Sequence, residues 1–213
     1  MHLKELYKNH GTAARCAAVI LTFLSGISLF SASIAKAEIS DEIQTSPHIA
    51  SHIIGIDPGH QGPNVDMSDL EPLGPGSTEM KAKASTGTQG TFSGLPEYQL
   101  NLDVSLKLQK LLEDRGYETV LTRTDNDTAI SNKERAEYVA DQGAEICVRI
   151  HANGAEASSA AGALTISPSS SNPYVPQLYE ESSELSQHIL DAYCAATGFD
   201  NRGITYADNM TGI

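Results

Sequence analysis

Three side chains that can bind a metal ion stand at the ends of apolar or helical stretches of this 213-residue chain. His60 follows the apolar run Ile53–Ile56, which a Pro-Gly step stops sharply. His151 follows the alternating apolar stretch 144–150, and Glu97 begins a long helical pattern on its inward-facing side. Two histidines and one carboxylate with an open fourth position form the ligand set of a catalytic zinc ion. Their separations of 37 and 54 residues match no compact zinc motif, so the prediction depends on these positions at element ends.

The candidate ligands also have ordinary structural explanations. His60 could be solvated beyond a turn, and Glu97 could simply favour the start of its helix through the helix dipole. An inward carboxylate without a partner would be costly, however, so Glu97 indicates a cation. Asp57 either fixes one tautomer of a ligand histidine or forms a turn before Pro58. The remaining histidines near the domain are interpreted as non-ligands: His48, His52 and His188.

The elements that must position these residues alternate between strand and helix. Strands are predicted at 53–56, 117–122, 144–150 and 162–166, with an extended segment from 201, and helices at 97–115, 131–140 and 179–197. This order predicts an α/β fold with a mixed, mostly parallel central sheet flanked by helices. In such sheets, sites form beyond the carboxyl ends of the strands, where both His60 and His151 stand.

Two stretches carry further expectations about the surroundings of the site. The segment 63–96 is rich in Gly, Ser, Thr and Pro and is predicted to form a loop over the rim of the site rather than a floppy insertion. The helix 97–115 is predicted to bury one face. That face consists of Glu97, Leu100, Val104, Leu108, Leu111 and Leu112.

The N-terminal 37 residues are typical of an export signal. A positive start, an apolar stretch over 16–30 and the small-x-small sequence Ala35-Lys36-Ala37 predict cleavage after residue 37, with an uncleaved membrane anchor as the alternative. Residues 38–51 are predicted to be a linker and 52–213 the catalytic domain, with no membrane span once the signal is removed. Removal takes away four basic and one acidic side chain and leaves a net charge of −16. This charge argues against nucleic-acid binding. Cys147 and Cys194 could pair, although a buried free thiol is favoured for Cys147.

Several ordered motifs identify a resemblance to a known enzyme family. They are Asp57-Pro58-Gly59-His60-Gln61-Gly62, Pro96-Glu97-Tyr98-Gln99-Leu100-Asn101-Leu102, Leu121-Thr122-Arg123, Glu134-Arg135 and Arg149-Ile150-His151-Ala152-Asn153. Together they resemble the zinc-dependent N-acetylmuramoyl-L-alanine amidases of the cell-wall hydrolase type. The resemblance implies one zinc ion held by His60, Glu97 and His151. It also implies a secreted or cell-envelope enzyme that hydrolyses the amide between N-acetylmuramic acid and L-alanine in peptidoglycan.

One departure from the family affects the expected activity. The family carries a general-base glutamate in a segment Pro-x-x-x-x-Glu-x-Gly-Phe/Tyr, which this sequence lacks, so that glutamate is expected beyond Ile213. The last strand and helix of the fold are expected to be missing with it, and activity is expected to be impaired. A non-catalytic peptidoglycan-binding or regulatory protein of the same fold is therefore the alternative. A zinc deacetylase acting on wall sugars fits less well, because those enzymes use an Asp and two His with different spacing.

Two further residues are candidates for contacts with substrate. Arg202 could clamp a peptide carboxylate with both guanidinium nitrogens, or it could be an ordinary solvated surface residue. Asn153 could orient His151 or the substrate, or it could be a turn residue.

Overall fold

The computed structural model describes residues 52–154 and 160–212 in full, together with the backbone of residues 15–22. In these parts of the chain, eight strands, three α-helices and one short 3-10 helix (Pro176–Leu178) are formed. The strands are β1 (Arg15–Thr22), β2 (Ile53–Pro58), β3 (Leu70–Pro72), β4 (Met80–Ala82), β5 (Glu118–Leu121), β6 (Ile146–His151), β7 (Gly162–Ser167) and β8 (Asn201–Tyr206). The helices are α1 (Glu97–Glu113), α2 (Asn132–Asp141) and α3 (Tyr179–Thr197).

Six of the strands form one central sheet in the order β5-β2-β6-β1-β7-β8. The first four strands in this order run parallel to one another, and β7 and β8 run in the opposite direction. The sheet is thus mixed and mostly parallel, as the order of elements predicts. The carboxyl ends of β2 and β6 meet at one edge because these strands are parallel neighbours. This pairing brings the residues that follow β2 next to the end of β6, which is the geometric basis of the site.

The strand β1 is the main element that the sequence patterns did not predict. Its backbone lies between β6 and β7, with Val19 opposite Ile150 on one side and Thr165 on the other. These residues overlap the apolar stretch of the predicted export signal. A short apolar run is compatible with a buried strand as well as with a signal sequence, so periodicity alone does not separate them. The rest of the predicted signal and the predicted linker 38–51 lie outside the described residues.

The helices cover both faces of the sheet and complete three layers. Alternate residues of the central strands point to opposite faces. Ile54, Ile56, Val148, Ile150, Ala163 and Leu190 form the larger core, against which Val104, Leu108 and Leu112 of α1 and Ile189 and Tyr193 of α3 pack. On the other face, Val139 of α2 packs with Ala144 and Cys147. No disulfide joins Cys147 and Cys194.

The helix α1 differs from expectation in its buried face. Its most buried residues are Glu97, Asn101, Leu102 and Ser105, whereas Leu111 is 52% exposed and does not belong to the face. The face that meets β2 therefore includes small polar residues that a hydrophobic wheel does not select. By contrast, the predicted start of α2 is confirmed, because Ser131 and Glu134 form both hydrogen bonds of a capping box.

The segment 63–96 is less irregular than its composition indicates. It contains the antiparallel pair β3 and β4, each only three residues long, before the chain returns towards α1. Strands this short offer no measurable alternation, so sequence periodicity could not predict them. Within the described residues, none of the helices combines the length and the apolar character needed to cross a lipid bilayer.

Candidate metal centre

Three potential ligand atoms form a nearly equilateral triangle at the carboxyl edge of the sheet. His60 Nε2 lies 3.1 Å from His151 Nδ1, and Glu97 Oε1 lies 3.2 Å from the former and 3.1 Å from the latter. Among the residues that the structure describes, this is the one cluster of three such groups able to hold a metal ion. The sequence prediction that these three residues come together is therefore matched by their positions.

The triangle has the dimensions that a tetrahedral zinc site requires. Bonds of about 2.0–2.1 Å from zinc to nitrogen or carboxylate oxygen imply ligand atoms separated by roughly 3.3 Å. The three measured separations fall within about 0.2 Å of this edge length. Three protein ligands would leave a fourth position open, as in catalytic rather than structural zinc sites. The donor set, two imidazoles and one carboxylate, fits a borderline metal ion such as zinc.

A hydrogen bond at Nδ1, the ring nitrogen that faces away from the triangle, fixes the orientation of the His60 ring. Its Nδ1 lies 2.9 Å from the carbonyl oxygen of Ser85, a separation suited to an N–H donor on that nitrogen. A proton on Nδ1 leaves the lone pair on Nε2, which is the nitrogen in the triangle. Metal-binding histidines commonly donate their other ring nitrogen to a carbonyl in this way. The position of Ser85 therefore selects the tautomer of His60 that a metal ligand needs.

The ring of His151 packs directly on the backbone of Gly59. A Cβ atom at position 59 would lie 2.3 Å from Cε1 and 2.4 Å from Nε2 of that ring, which is far closer than real contacts allow. The N–H of Gly59 also donates to the carbonyl of Ile150, which joins the loop after β2 to the end of β6. Glycine is required here because the imidazole occupies the space of a side chain.

The carboxylate of Glu97 is held by donors from two other parts of the chain. Its Oε2 accepts hydrogen bonds from both the backbone N–H and the hydroxyl of Thr88, each at 2.9 Å. Its Oε1 accepts from the N–H of Ala152 at 3.0 Å. The helix it begins has Pro96 as N-cap and no side-chain cap, so Glu97 reaches across to the site rather than capping α1.

The loop that carries Ser85 and Thr88 lies against His60 and Glu97 and requires a glycine at position 87. Gly87 has a φ of +75°, and a Cβ there would lie 2.6 Å from His60 Cδ2 and 2.7 Å from Glu97 Oε2. The predicted loop over the rim of the site is thus found at 84–90. A groove of about 260 Å³ adjoins it, lined by Pro63, Thr86, Gly87, Thr88, Gln89, Pro96 and Tyr98.

The protonation states of the triangle suit metal binding. Burial alone would raise the pKa of Glu97, but the neighbouring His151 and His60 rings and the backbone N–H of Thr88 outweigh burial and hold that pKa well below its usual range. Burial lowers the pKa of His151, and the hydrogen bond to Glu97 opposes this only in part. At neutral pH the cluster therefore contains an ionised carboxylate and a neutral His151 imidazole, the forms that bind metal ions.

Asp57 needs a correction to both of its sequence interpretations. It lies within β2 rather than in a turn, and its carboxylate accepts hydrogen bonds from Thr122, Arg135 and Arg149 rather than from a histidine ring. Burial would raise the pKa of Asp57, but the two guanidinium groups and the hydroxyl hold it well below its usual range. Asp57 is thus an ionised, fully buried anchor beneath the site.

The two candidate substrate contacts both lie outside the triangle. Asn153 is exposed in the segment after β6. Arg202 is exposed at the start of β8, which runs opposite to β6 and so begins at the edge where β6 ends. Three interstrand spacings separate β8 from β6. The backbone of Arg202 therefore lies roughly 14 Å from strand β6, which carries His151. The positions are compatible with an extended substrate but establish no contact with one.

Several residues around the site were not predicted from the sequence. Thr88 lies in a stretch without periodicity. The Ala152 N–H donor and the Ser85 carbonyl acceptor belong to the backbone, which carries no residue-specific signal. Three arginines lie buried beneath the site: Arg123, Arg135 and Arg149. Their burial could not be inferred from residue type, because arginine is rarely buried unless it is paired.

Comparison with known protein families decides where the chain belongs. The model of the N-acetylmuramoyl-L-alanine amidase family matches residues 54–212, about three quarters of the sequence. The chain belongs to this family. The match includes all three residues of the triangle and both strands that carry the two histidines towards it.

Individual amidases support the same assignment at different levels. The N-acetylmuramoyl-L-alanine amidase Rv3717 of Mycobacterium tuberculosis is 33% identical over 123 residues, which cover 56% of this chain and 49% of that protein. The amidase LytC of Bacillus subtilis is 32% identical over 117 residues, covering 54% of this chain and 22% of that protein. The aligned parts thus span about half or less of these relatives.

Solved amidase structures show the same fold. Ami1 from Mycobacterium smegmatis superposes with a TM-score of 0.63 at 23% identity and covers 78% of this chain and 77% of its own. Ami1 from Mycobacterium abscessus, in its apo form, gives a TM-score of 0.61 at 23% identity, with coverage of 77% and 78%. At this level of identity, the likeness establishes the α/β architecture.

Proposed function

We propose that the chain is the amidase domain of a zinc-dependent enzyme that hydrolyses the amide between N-acetylmuramic acid and L-alanine in peptidoglycan. The observation that carries this proposal is the triangle of His60, Glu97 and His151, whose sides of 3.1–3.2 Å match a tetrahedral zinc site. Membership of the amidase family supports the choice of reaction, and the relatives named as N-acetylmuramoyl-L-alanine amidases support the choice of bond.

The chain's own residues would hold the metal with little rearrangement. A zinc ion in such a site supplies Lewis-acid polarisation of the scissile carbonyl and activation of a water molecule. His60 and His151 would bind through Nε2 and Nδ1, and Glu97 through Oε1. The bonds from Thr88 and Ala152 keep that carboxylate aimed at the triangle. One anionic ligand leaves the site net positive, which favours an electron-rich carbonyl oxygen.

We also propose that the reaction needs an acid-base group in addition to the three metal ligands. Amide hydrolysis needs a group that takes a proton from water and delivers one to the leaving amine. In the described residues, the cluster contains a single carboxylate, Glu97, which is committed as a ligand. Loss of a general acid-base group typically lowers the rate by about 10²–10⁴-fold.

The proposed location is the cell envelope or the secreted space. Peptidoglycan lies outside the cytoplasm, so its hydrolysis requires export. The predicted signal at 1–37 would direct that export, and in the uncleaved chain its residues Arg15–Thr22 pair with β6 and β7. Arg202 and Asn153 are proposed as contacts with the stem peptide, on the basis of their positions at or near the same edge of the sheet. The acidic charge makes nucleic acid an unsuitable partner.

The zinc part of the proposal is tested by metal content. Purified wild-type chain should bind one zinc ion, and replacement of His60, Glu97 or His151 by Ala should abolish stoichiometric binding. His188→Ala is a matched control, since His188 is exposed on α3. Metal content measured by mass spectrometry that is unchanged in all three variants would disprove the ligand assignment.

The reaction is tested separately with purified peptidoglycan. Any release of stem peptides by the chain should vanish with Glu97→Ala. Products that carry a free L-alanine amino group would identify the amide bond, whereas free acetate would indicate a deacetylase. Co-sedimentation with peptidoglycan without any release, even at high enzyme concentration, would favour the non-catalytic wall-binding protein.

A further inference from the structure

The metal-ligand residue His60 has an unusual backbone conformation. Its φ is +64°, and among the described residues it is the one non-glycine residue with a positive φ. L-residues avoid this left-handed region because Cβ crowds the carbonyl oxygen. Such outliers persist only where the surroundings impose them, and they cluster at functional sites. The conformation turns the chain sharply after β2 and directs the imidazole back over the sheet edge.

Arg135 of α2 hydrogen-bonds to the backbone of this turn. Its Nη2 donates to the carbonyl of His60 at 2.9 Å and to Gln61 Oε1 at 2.8 Å. Its Nη1 donates to the carbonyl of Pro58 at 2.8 Å and to Asp57 Oδ1 at 2.7 Å. The side chain is only 1% exposed. One rigid guanidinium thus holds the backbone on both sides of Gly59.

Arg123 also hydrogen-bonds to the carbonyls of this turn. Its Nε donates to the carbonyl of Pro58 at 2.9 Å, and its Nη2 donates to the carbonyls of Gly59 at 3.0 Å and Tyr98 at 2.7 Å. Asn101 Nδ2 is a second donor to the carbonyl of Gly59, at 3.1 Å. Burial lowers the pKa of Arg123 to about 10, so it is still charged at neutral pH. Buried side chains therefore satisfy three consecutive carbonyls, those of residues 58–60.

From this geometry we propose that Arg135 and Arg123 are positioning residues that hold His60 in its left-handed conformation and thereby set the geometry of the metal triangle. Neither guanidinium bonds to a ring of the triangle, so each acts through the backbone. The inference deepens the proposed zinc site and rests on it for its effect on metal binding. The backbone part of the inference applies to the metal-free chain as well.

The first test compares two substitutions on the same buried side of α2. Arg135→Lys keeps the charge, but a single ammonium cannot replace the planar fork that reaches both carbonyls. Zinc affinity, measured by competition with a chromophoric chelator, should fall about 10–100-fold, as is typical for loss of groups that orient metal ligands. Val139→Ala, one turn along and fully buried, removes core packing without touching the turn. It should lower the denaturation midpoint yet leave zinc affinity within about twofold of the wild type.

A second variant and a second measurement keep the inference testable if Arg135→Lys folds poorly. Arg123→Lys should also weaken zinc binding, because it removes the fork that bridges Pro58 and Gly59. In the metal-free chain, NMR cross-correlated relaxation reports the φ of His60. A positive φ is expected in the wild type and in Val139→Ala, and a shift towards negative φ is expected in the two arginine variants.

Each outcome bears on a separate claim. If the wild type binds no zinc, the proposed function fails, and the φ of His60 in the metal-free variants still decides the positioning role. Wild-type zinc affinity together with an unchanged positive φ in both arginine variants would overturn the inference. Equal losses of zinc affinity in Val139→Ala and Arg135→Lys would overturn it too, because the effect would then come from general destabilisation.

Discussion

Asp57→Asn should strongly destabilise the fold, although it only replaces one carboxylate oxygen by an amide nitrogen. Asp57 is 1% exposed and pairs with Arg135 and Arg149, both of which are also buried. The amide keeps the shape of the side chain but removes its charge, so two guanidinium groups lose their buried counter-ion. Breaking a buried ion pair by neutralising one partner costs about 3–5 kcal/mol. Because two pairs are affected, we expect a loss at the upper end of this range.

Urea denaturation at pH 7 measures this loss. With a slope of about 2 kcal/mol/M, the expected destabilisation lowers the denaturation midpoint by roughly 2 M. Asp141→Asn serves as control, since Asp141 is exposed at the end of α2 and should change stability by no more than about 0.5 kcal/mol. A loss below about 1 kcal/mol for Asp57→Asn would refute the view that this carboxylate anchors the arginines.

The same comparison has a defined pH dependence. The pKa of Asp57 is well below its ordinary value in the folded chain, whereas in the unfolded chain it is about 3.9. The stability contributed by the ionised carboxylate is therefore complete above about pH 4 and is lost as the pH falls towards the folded-state pKa. The gap between wild type and Asp57→Asn should be widest near neutral pH and should narrow below about pH 4. A gap that is constant with pH would contradict this explanation.

Three further outcomes follow from the structure. Zinc affinity should be nearly constant around neutral pH and should fall in acid, because protons then compete with the metal for His151, whose pKa is held below its ordinary value by burial. Chelator competition at several pH values measures this, and a profile that stays flat in acid would contradict it. Gly87→Ala should weaken zinc binding about tenfold or more, because its Cβ would collide with His60 and Glu97; unchanged affinity would show that the loop does not lie on the ligands. Val19→Pro should destabilise the full chain by about 3 kcal/mol, because proline has no backbone N–H to donate within a strand that is paired on both sides. Thermal denaturation measures this, and an unchanged midpoint would show that Arg15–Thr22 is not part of the sheet.

Much of the fold could be predicted from local patterns. The helix α3 was predicted over the residues where it occurs, with Gly198 in the left-handed conformation directly after it. The capping box of Ser131 and Glu134 gave the start of α2, and apolar alternation gave β6. These features are encoded over one or two turns or a few alternating residues. Sequence reasoning detects such local signals well because they do not depend on distant contacts.

The features that escaped prediction depend on contacts between distant parts of the chain. The strand β1 reads as an export signal, and only its pairing with β6 and β7 gives it a place in the sheet. Leu111 fits the helical wheel, but no layer covers it. Arg123 and Arg135 are charged residues whose burial depends on carbonyls about 65 and 75 residues away. The proximity of His60, Glu97 and His151 could be predicted because these residues stand at element ends, whereas the groups that orient them could not.

The most direct test of the central claim is anomalous diffraction at the zinc edge from crystals of the full chain grown with zinc. One anomalous peak is expected in contact with His60 Nε2, Glu97 Oε1 and His151 Nδ1, with bonds of about 2.0–2.2 Å and an open fourth position. A peak elsewhere, or none at the triangle with zinc in excess, would contradict the claim that these three side chains form the metal site.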